Sequence, residues 1–202
     1  MNYIKRDIEN RILSLTGEYS CILITGPRQV GKTTVLKQLM TDDREYVTLD
    51  DLQERRLART DPAMFMQTHS LPIFIDEVQY APELFSYIKI AIDNGAEPGA
   101  FWLTGSQTFR LMELAQESLA GRVAILHMTS LSQHEIYGTG NTAPFSVDLA
   151  QLKERRKTNA PADMKELYER ILPAAGSPIV TCSTAAISRP ISSATSASLS
   201  SV

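Results

Sequence analysis

Gly26-Pro27-Arg28-Gln29-Val30-Gly31-Lys32-Thr33 decides how this chain folds. The octet satisfies the phosphate-binding pattern G-x-x-x-x-G-K-[ST] at every fixed position. Its glycines let the backbone curl until successive N–H groups face a bound anion. Lys32 has the reach for β- and γ-phosphates, and the Thr33 hydroxyl is a Mg²⁺ ligand. A helix starting at this point adds its positive N-terminal dipole.

The flanks agree with that reading. Cys21-Ile22-Leu23-Ile24-Thr25 is a short apolar run, as a buried parallel strand is. Thr34-Val35-Leu36-Lys37-Gln38-Leu39-Met40 continues as an amphipathic helix. A glycine turn without a ligand needs neither flank. Further along, Glu45–Leu49, Pro72–Ile75, Ala100–Thr104 and Val123–Met128 read as strands. Helical patterns separate them: one after the Asp51 cap, one after Asp61-Pro62, and one from Pro82 to Ile92 ended by Asn94-Gly95. A further helix is built on Phe109, Leu111, Met112 and Leu114, and a short one spans Leu131 to Tyr137. Ile4, Ile8, Ile12 and Leu15 predict an amphipathic helix at the start of the chain. Strands alternating with helices predict an α/β fold, a three-layer α/β/α sandwich around a mainly parallel sheet of about five strands.

Asp76-Glu77 is the second chemical motif. It follows an apolar strand some forty residues after the loop, and a parallel strand beside the first would deliver it to the same crevice. Asp76 there can hold a Mg²⁺ shell, and Glu77 can orient and deprotonate an attacking water. Thr104, Ser106 and Gln107, at the end of the fourth strand, bring hydroxyl and amide groups to where a γ-phosphate would lie. Turn chemistry around Gly105 is the plainer reading of that trio, and Ser106 or Gln107 is the preferred sensor. Arg122 precedes the fifth strand. It either stabilises charge on a transferred phosphoryl group, in cis or from a neighbouring subunit, or pairs at the surface with Glu113 or Glu117.

The totals narrow the class. The chain has 202 residues, enough for one well-filled domain and an appendage, and a formal net charge of −3. No global basic field points to nucleic acid, and the run Lys153, Arg155, Arg156, Lys157 is interrupted by Glu154. Two cysteines, Cys21 and Cys182, make no disulfide framework, which fits the cytoplasm. The N-terminus lacks the apolar core of a signal peptide, and no apolar run reaches membrane-span length. His69, His127 and His134 show no metal-ligand spacing. A GTPase is disfavoured because no Asn-Lys-x-Asp motif is present. A small-molecule kinase would need an arginine-rich lid, and Arg55, Arg56 and Arg59 read as the solvated face of a helix.

The blocks ITGPRQVGKTT, YVTLDD, PIFIDEVQYAP, FWLTGSQTFRLM, SLAGRVAILHMTSLSQHEI and LYERIL, in that order, resemble the prokaryotic AAA+-like P-loop ATPases whose ATPase domain is followed by a DUF4143 domain. The resemblance spans roughly residues 1 to 172. It implies that ATP is bound through Gly26, Gly31, Lys32, Thr33 and Thr34, with Pro27, Arg28, Gln29 and Val30 completing the loop. It implies Mg²⁺ on Thr33 and Asp76, a catalytic role for Lys32 and Glu77, Ser106 or Gln107 as sensor, and Arg122 as an active-site or structural arginine. The expected reaction is Mg-dependent hydrolysis of ATP; the alternative is a nucleotide-binding switch or interaction module with little turnover. An arginine acting in trans would require a homo-oligomer. The expected organisation is an ATPase domain over 1–140, a linker and helix over 141–172, and a low-complexity, disordered tail over 173–202. In that tail Arg189 is the only charged side chain, a departure from the family that reads as a truncated or frameshifted frame after Leu172.

Overall fold

The strands form where β-branched and aromatic residues cluster, and they assemble into one sheet. In the computed structural model, which describes residues 3–106, 108–132, 135–136, 138 and 147–158, these are β1 (Cys21–Thr25), β2 (Glu45–Thr48), β3 (Ile73–Asp76), β4 (Phe101–Gly105) and β5 (Val123–His127). All pairings are parallel, in the order β2-β3-β4-β1-β5. Cys21 stands level with Phe101 on one side and Val123 on the other, so the C-terminal ends of the strands share one edge. Gln107, Cys182, the segment 162–172 for which a helix is expected from the sequence, and the segment from 173 lie outside the described residues, as do parts of the segment 131–137.

Alternate side chains of each strand feed opposite layers. Ile22, Ile24, Phe74 and Trp102 pack with Ile12 and Leu15 of α1 (Glu9–Thr16) and Val35 and Leu36 of α2 (Lys32–Leu39). Cys21, Leu23, Ile73, Ile75, Phe101 and Leu103 face the other way. They meet Ala58 of α3 (Leu52–Thr60), Phe65 of α4 (Pro62–Thr68), Phe85 and Ile88 of α5 (Leu84–Asp93) and Ala115 of α6 (Thr108–Ser118). β1, β3 and β4 are buried at every position because both faces are covered. This is the three-layer α/β sandwich expected.

The local signals for α3 and α4 hold in detail. The Asp51 carboxylate accepts the N–H groups of Gln53 and Glu54, and Asp61 accepts that of Met64 just after Pro62. Two expectations need correction. The opening helix begins at Glu9 rather than Ile4, because the Glu9 carboxylate accepts the Arg6 N–H at 2.5 Å and the Tyr3 hydroxyl at 2.7 Å. That bonding closes a turn ahead of the helix. And β3 is not beside β1: β4 lies between them, which gives its C-terminal residues a place in the site. A further helix, Leu149–Thr158, carries the charged run and is largely exposed. Among the described residues no helix is long and apolar enough to cross a membrane.

Candidate active site

The phosphate loop joins β1 to α2. Gly26 takes φ 151° and Gly31 φ 93°, and Gln29 is also left-handed at φ 63°. For a non-glycine residue that conformation costs roughly 1–2 kcal/mol, a cost the folded surroundings support at working sites. No side chain caps the first turn of α2, so its N–H groups are presented to the loop. Gly26 has a second reason to be glycine. A Cβ there would lie 2.1 Å from the Met128 carbonyl oxygen, a backbone atom with little freedom to retreat. Gly26→Ala is therefore expected to cost about 3 kcal/mol or more, a fall in Tm of the order of 10 °C for a domain of this size. Thermal melting of the purified variant checks it.

Lys32 is buried, and its Nζ donates to the carbonyl oxygens of Gly26 (3.1 Å) and Pro27 (2.7 Å) and lies 3.5 Å from Ser106 Oγ. Burial lowers its pKa from the ordinary value; Glu77 and Asp76 oppose that by favouring the charged form, and Arg28 adds to the lowering. Thr33 Oγ1 donates to both carboxylate oxygens of Asp76, at 2.9 and 3.0 Å. Asp76 is buried and also accepts from Tyr46 Oη at 3.1 Å and from the Thr104 hydroxyl. Burial, then the Asp76 charge, push the Tyr46 phenol up to about 12.

Glu77 follows in a left-handed conformation, φ 58° and ψ 45°. Its N–H is fixed by Thr104 Oγ1 at 3.1 Å, and its carboxylate accepts from Ser106 Oγ at 3.1 and 3.2 Å and from the Gln79 amide. β4 and the residue that follows it thus supply two hydroxyls to the acidic pair: Thr104 on Asp76, Ser106 between Glu77 and Lys32.

A cavity of about 260 Å³ opens beside Glu77, lined by Arg28, Gln29, Asp50 and Tyr80 as well. Arg28 reaches the Tyr80 hydroxyl at 3.5 Å. Arg55 departs from its reading as part of a solvated face. It lies over the Tyr80 ring at 3.8 Å and donates to the Leu49 carbonyl at 2.6 Å, while Arg56 and Arg59 remain exposed. Pro27, Arg28, Gln29 and Thr34 are exposed, and Val30 is buried behind the loop.

Arg122 does not join this group. It stands immediately before β5, at the N-terminal edge of a sheet whose opposite edge carries the loop, and pairs with Asp93 at 2.7 Å rather than with Glu113 or Glu117. Five-residue strands separate the two edges by more than ~13 Å, so Arg122 of the same chain stands apart from the phosphate loop. Gln107 lies outside the described residues.

The matching regions span this site. The model of the AAA domain family matches residues 18–137, more than half of the chain. The chain belongs to the AAA domain family. An AAA-like ATPase domain agrees with the meeting of the loop, the acidic pair and the Thr104 and Ser106 hydroxyls at one sheet edge. Two mycobacterial proteins, uncharacterized protein Rv2008c of Mycobacterium tuberculosis and uncharacterized protein Mb2031c of Mycobacterium bovis, are each 35% identical to the chain over 135 residues. The match covers 65% of this chain and 30% of each relative, so the chain spans less than a third of the length of those curated relatives. A solved DNA replication initiation factor covers 79% of this chain with 51% of its own at TM-score 0.45 and 14% identity, a likeness too slight to argue from.

Tyr46 and Arg6 touch the candidate site and are missed by motif reading. Tyr46 touches Asp76 only because β2 and β3 pair with Thr48 level with Asp76. Arg6 is buried at the back of the loop and donates to the Val30 carbonyl at 2.9 Å and the Thr129 carbonyl at 2.8 Å. Its Nε pairs with Glu135 at 2.9 Å, the two side chains being 7% and 5% exposed. Burial acts to raise the Glu135 pKa, but the N–H groups of Ser132 and Asp7 and the Arg6 guanidinium outweigh it and hold the carboxyl below its usual value. A depressed folded-state pKa gives stability that is complete above the ordinary carboxylate range, near pH 4 to 5, and is lost as pH falls through the folded value. Acid melting curves of the parent are therefore expected to fall more steeply below pH 4.5 than those of Glu135→Gln.

Proposed function

We propose that this domain binds Mg·ATP and hydrolyses its β–γ phosphoanhydride bond with water. One observation carries the reading. The Ser106 hydroxyl touches both Lys32 and Glu77, so the phosphate-seeking cation and the candidate base flank a single point. A γ-phosphate held by Lys32 and the loop N–H groups would face Glu77 across Ser106. Glu77 takes a proton from a water, whose oxygen bonds the γ-phosphorus as the bond to the bridging oxygen breaks and ADP leaves.

The residues present suit Mg²⁺. Thr33 Oγ1 and the Asp76 carboxylate already meet within 3.0 Å, two hard oxygen donors at one point. Bound there beside phosphate oxygens, the ion would polarise the phosphoryl group and neutralise developing charge. Tyr46 and Thr104 hold Asp76 in place from its other side. Arg28, which lines the same cavity as Glu77, supplies positive charge there from within the chain.

The test is phosphate release by the purified chain from ATP with and without Mg²⁺. Release that requires Mg²⁺ is expected. ATP retained on the protein with no phosphate released would support the switch reading instead.

A further inference from the structure

Three segments remote in sequence end on one guanidinium. Arg6 Nη1 donates to Val30 of the phosphate loop, Nη2 to Thr129 just after β5, and Nε to Glu135. Glu135 in turn accepts the N–H of Asp7 at 2.9 Å and of Ser132 at 2.7 Å. Met128, between β5 and Thr129, donates its N–H to Thr25 at 2.7 Å and packs against Gly26. A guanidinium this deeply buried is costly unless it is paired and hydrogen-bonded. Here the three directions of its planar fork are each used, which a lysine ammonium does not reproduce.

The contact with Val30 bears on the nucleotide through peptide geometry. A trans peptide unit is rigid, and its C=O and N–H point in opposite directions. The Val30 carbonyl faces Arg6, so the Gly31 N–H is aimed the other way, away from the guanidinium. A charged donor on the carbonyl also polarises the peptide and strengthens that N–H as a donor. Gly31, at φ 93°, has Arg6 Nη1 3.8 Å from where its Cβ would be, so the guanidinium packs directly behind it.

We propose that Arg6 is a positioning residue for nucleotide binding: locked by Glu135 and Thr129, it aims and polarises the Val30–Gly31 peptide so that the Gly31 N–H meets the bound phosphates. This rests on the ATP-binding reading above. It also makes the segment after β5 part of the support of the phosphate loop.

The experiment is calorimetric titration of the parent, Arg6→Lys and Glu135→Gln with ADP and with ATP. Melting curves and the amide NMR resonance of Gly31 in nucleotide-free protein accompany it. Arg6→Lys is expected to weaken ADP and ATP binding about equally, each roughly tenfold, since the loop holds phosphates common to both. The Gly31 amide resonance is expected to shift in both variants before any nucleotide is added. A purely structural ion pair would lower the melting temperature while leaving the affinity of the folded protein unchanged. Folded variants that bind within twofold of a binding-competent parent overturn this inference alone. A parent that binds neither nucleotide overturns the ATP reading and this inference with it. If Arg6→Lys does not fold, Glu135→Gln decides: weaker binding of both nucleotides with a shifted Gly31 amide supports the proposal, and unchanged binding overturns it.

Discussion

Glu77→Gln is expected to keep ATP and to lose turnover by at least about a hundredfold, the usual contribution of a positioned base. The substitution preserves shape at a half-buried position, and the glutamine oxygen still accepts from Ser106. What it removes is proton affinity and one negative charge. Removing that charge beside Lys32 and the incoming triphosphate favours nucleotide binding, so affinity should be equal or tighter. The separation of the two effects is the informative part. Asp76 is buried and bonded by three hydroxyls, and Glu77 faces the cavity with its backbone bent into the left-handed region. The first is built to hold an ion, the second to meet a water. Filter binding of ATP together with initial rates of phosphate release checks both halves.

Lys32→Ala has the other large effect, on affinity. The ammonium is bonded to the Gly26 and Pro27 carbonyls of the loop and lies against Ser106, on the side of the acidic pair. Without it a triphosphate would approach Asp76 and Glu77 with Arg28 as the remaining nearby cation. Losing two charge-assisted hydrogen bonds to phosphate is worth ~3–6 kcal/mol, a hundredfold or more in Kd. The fold should tolerate the change. Removing a buried charge also removes its desolvation cost, and the Pro27 carbonyl sits on an exposed residue that water can reach. Calorimetric titration with ATP is expected to show no saturable binding at concentrations that saturate the parent, with melting of the nucleotide-free protein little changed.

The loop, the strands and the helix caps were legible in the sequence because each is a local signal. Gly26 to Thr33, the apolar runs and Asp51 or Asp61 before their helices depend on neighbours within a few positions. Asp76 and Glu77 were legible as a motif, but the insertion of β4 between β3 and β1 was not. Strand order is set by which faces helices cover, not by residues within a strand. That insertion is what gives Thr104 and Ser106 their contacts. Arg122 shows the limit from the other side. Its place in a familiar block suggested a catalytic group, yet the parallel register puts it at the far edge of the sheet, beside Asp93. Arg6 was hidden for a related reason. It lies in a stretch whose isoleucine spacing suggests only an amphipathic helix, and its partners are 24, 123 and 129 residues away.

The fate of water oxygen tests hydrolysis by this domain most directly. The purified chain is incubated with Mg·ATP in water enriched in oxygen-18, and the products are examined by mass spectrometry. The account predicts that the label enters inorganic phosphate and not ADP, in a Mg²⁺-dependent reaction that Glu77→Gln abolishes. Labelled ADP, unlabelled phosphate, or phosphate release that persists in Glu77→Gln would contradict it.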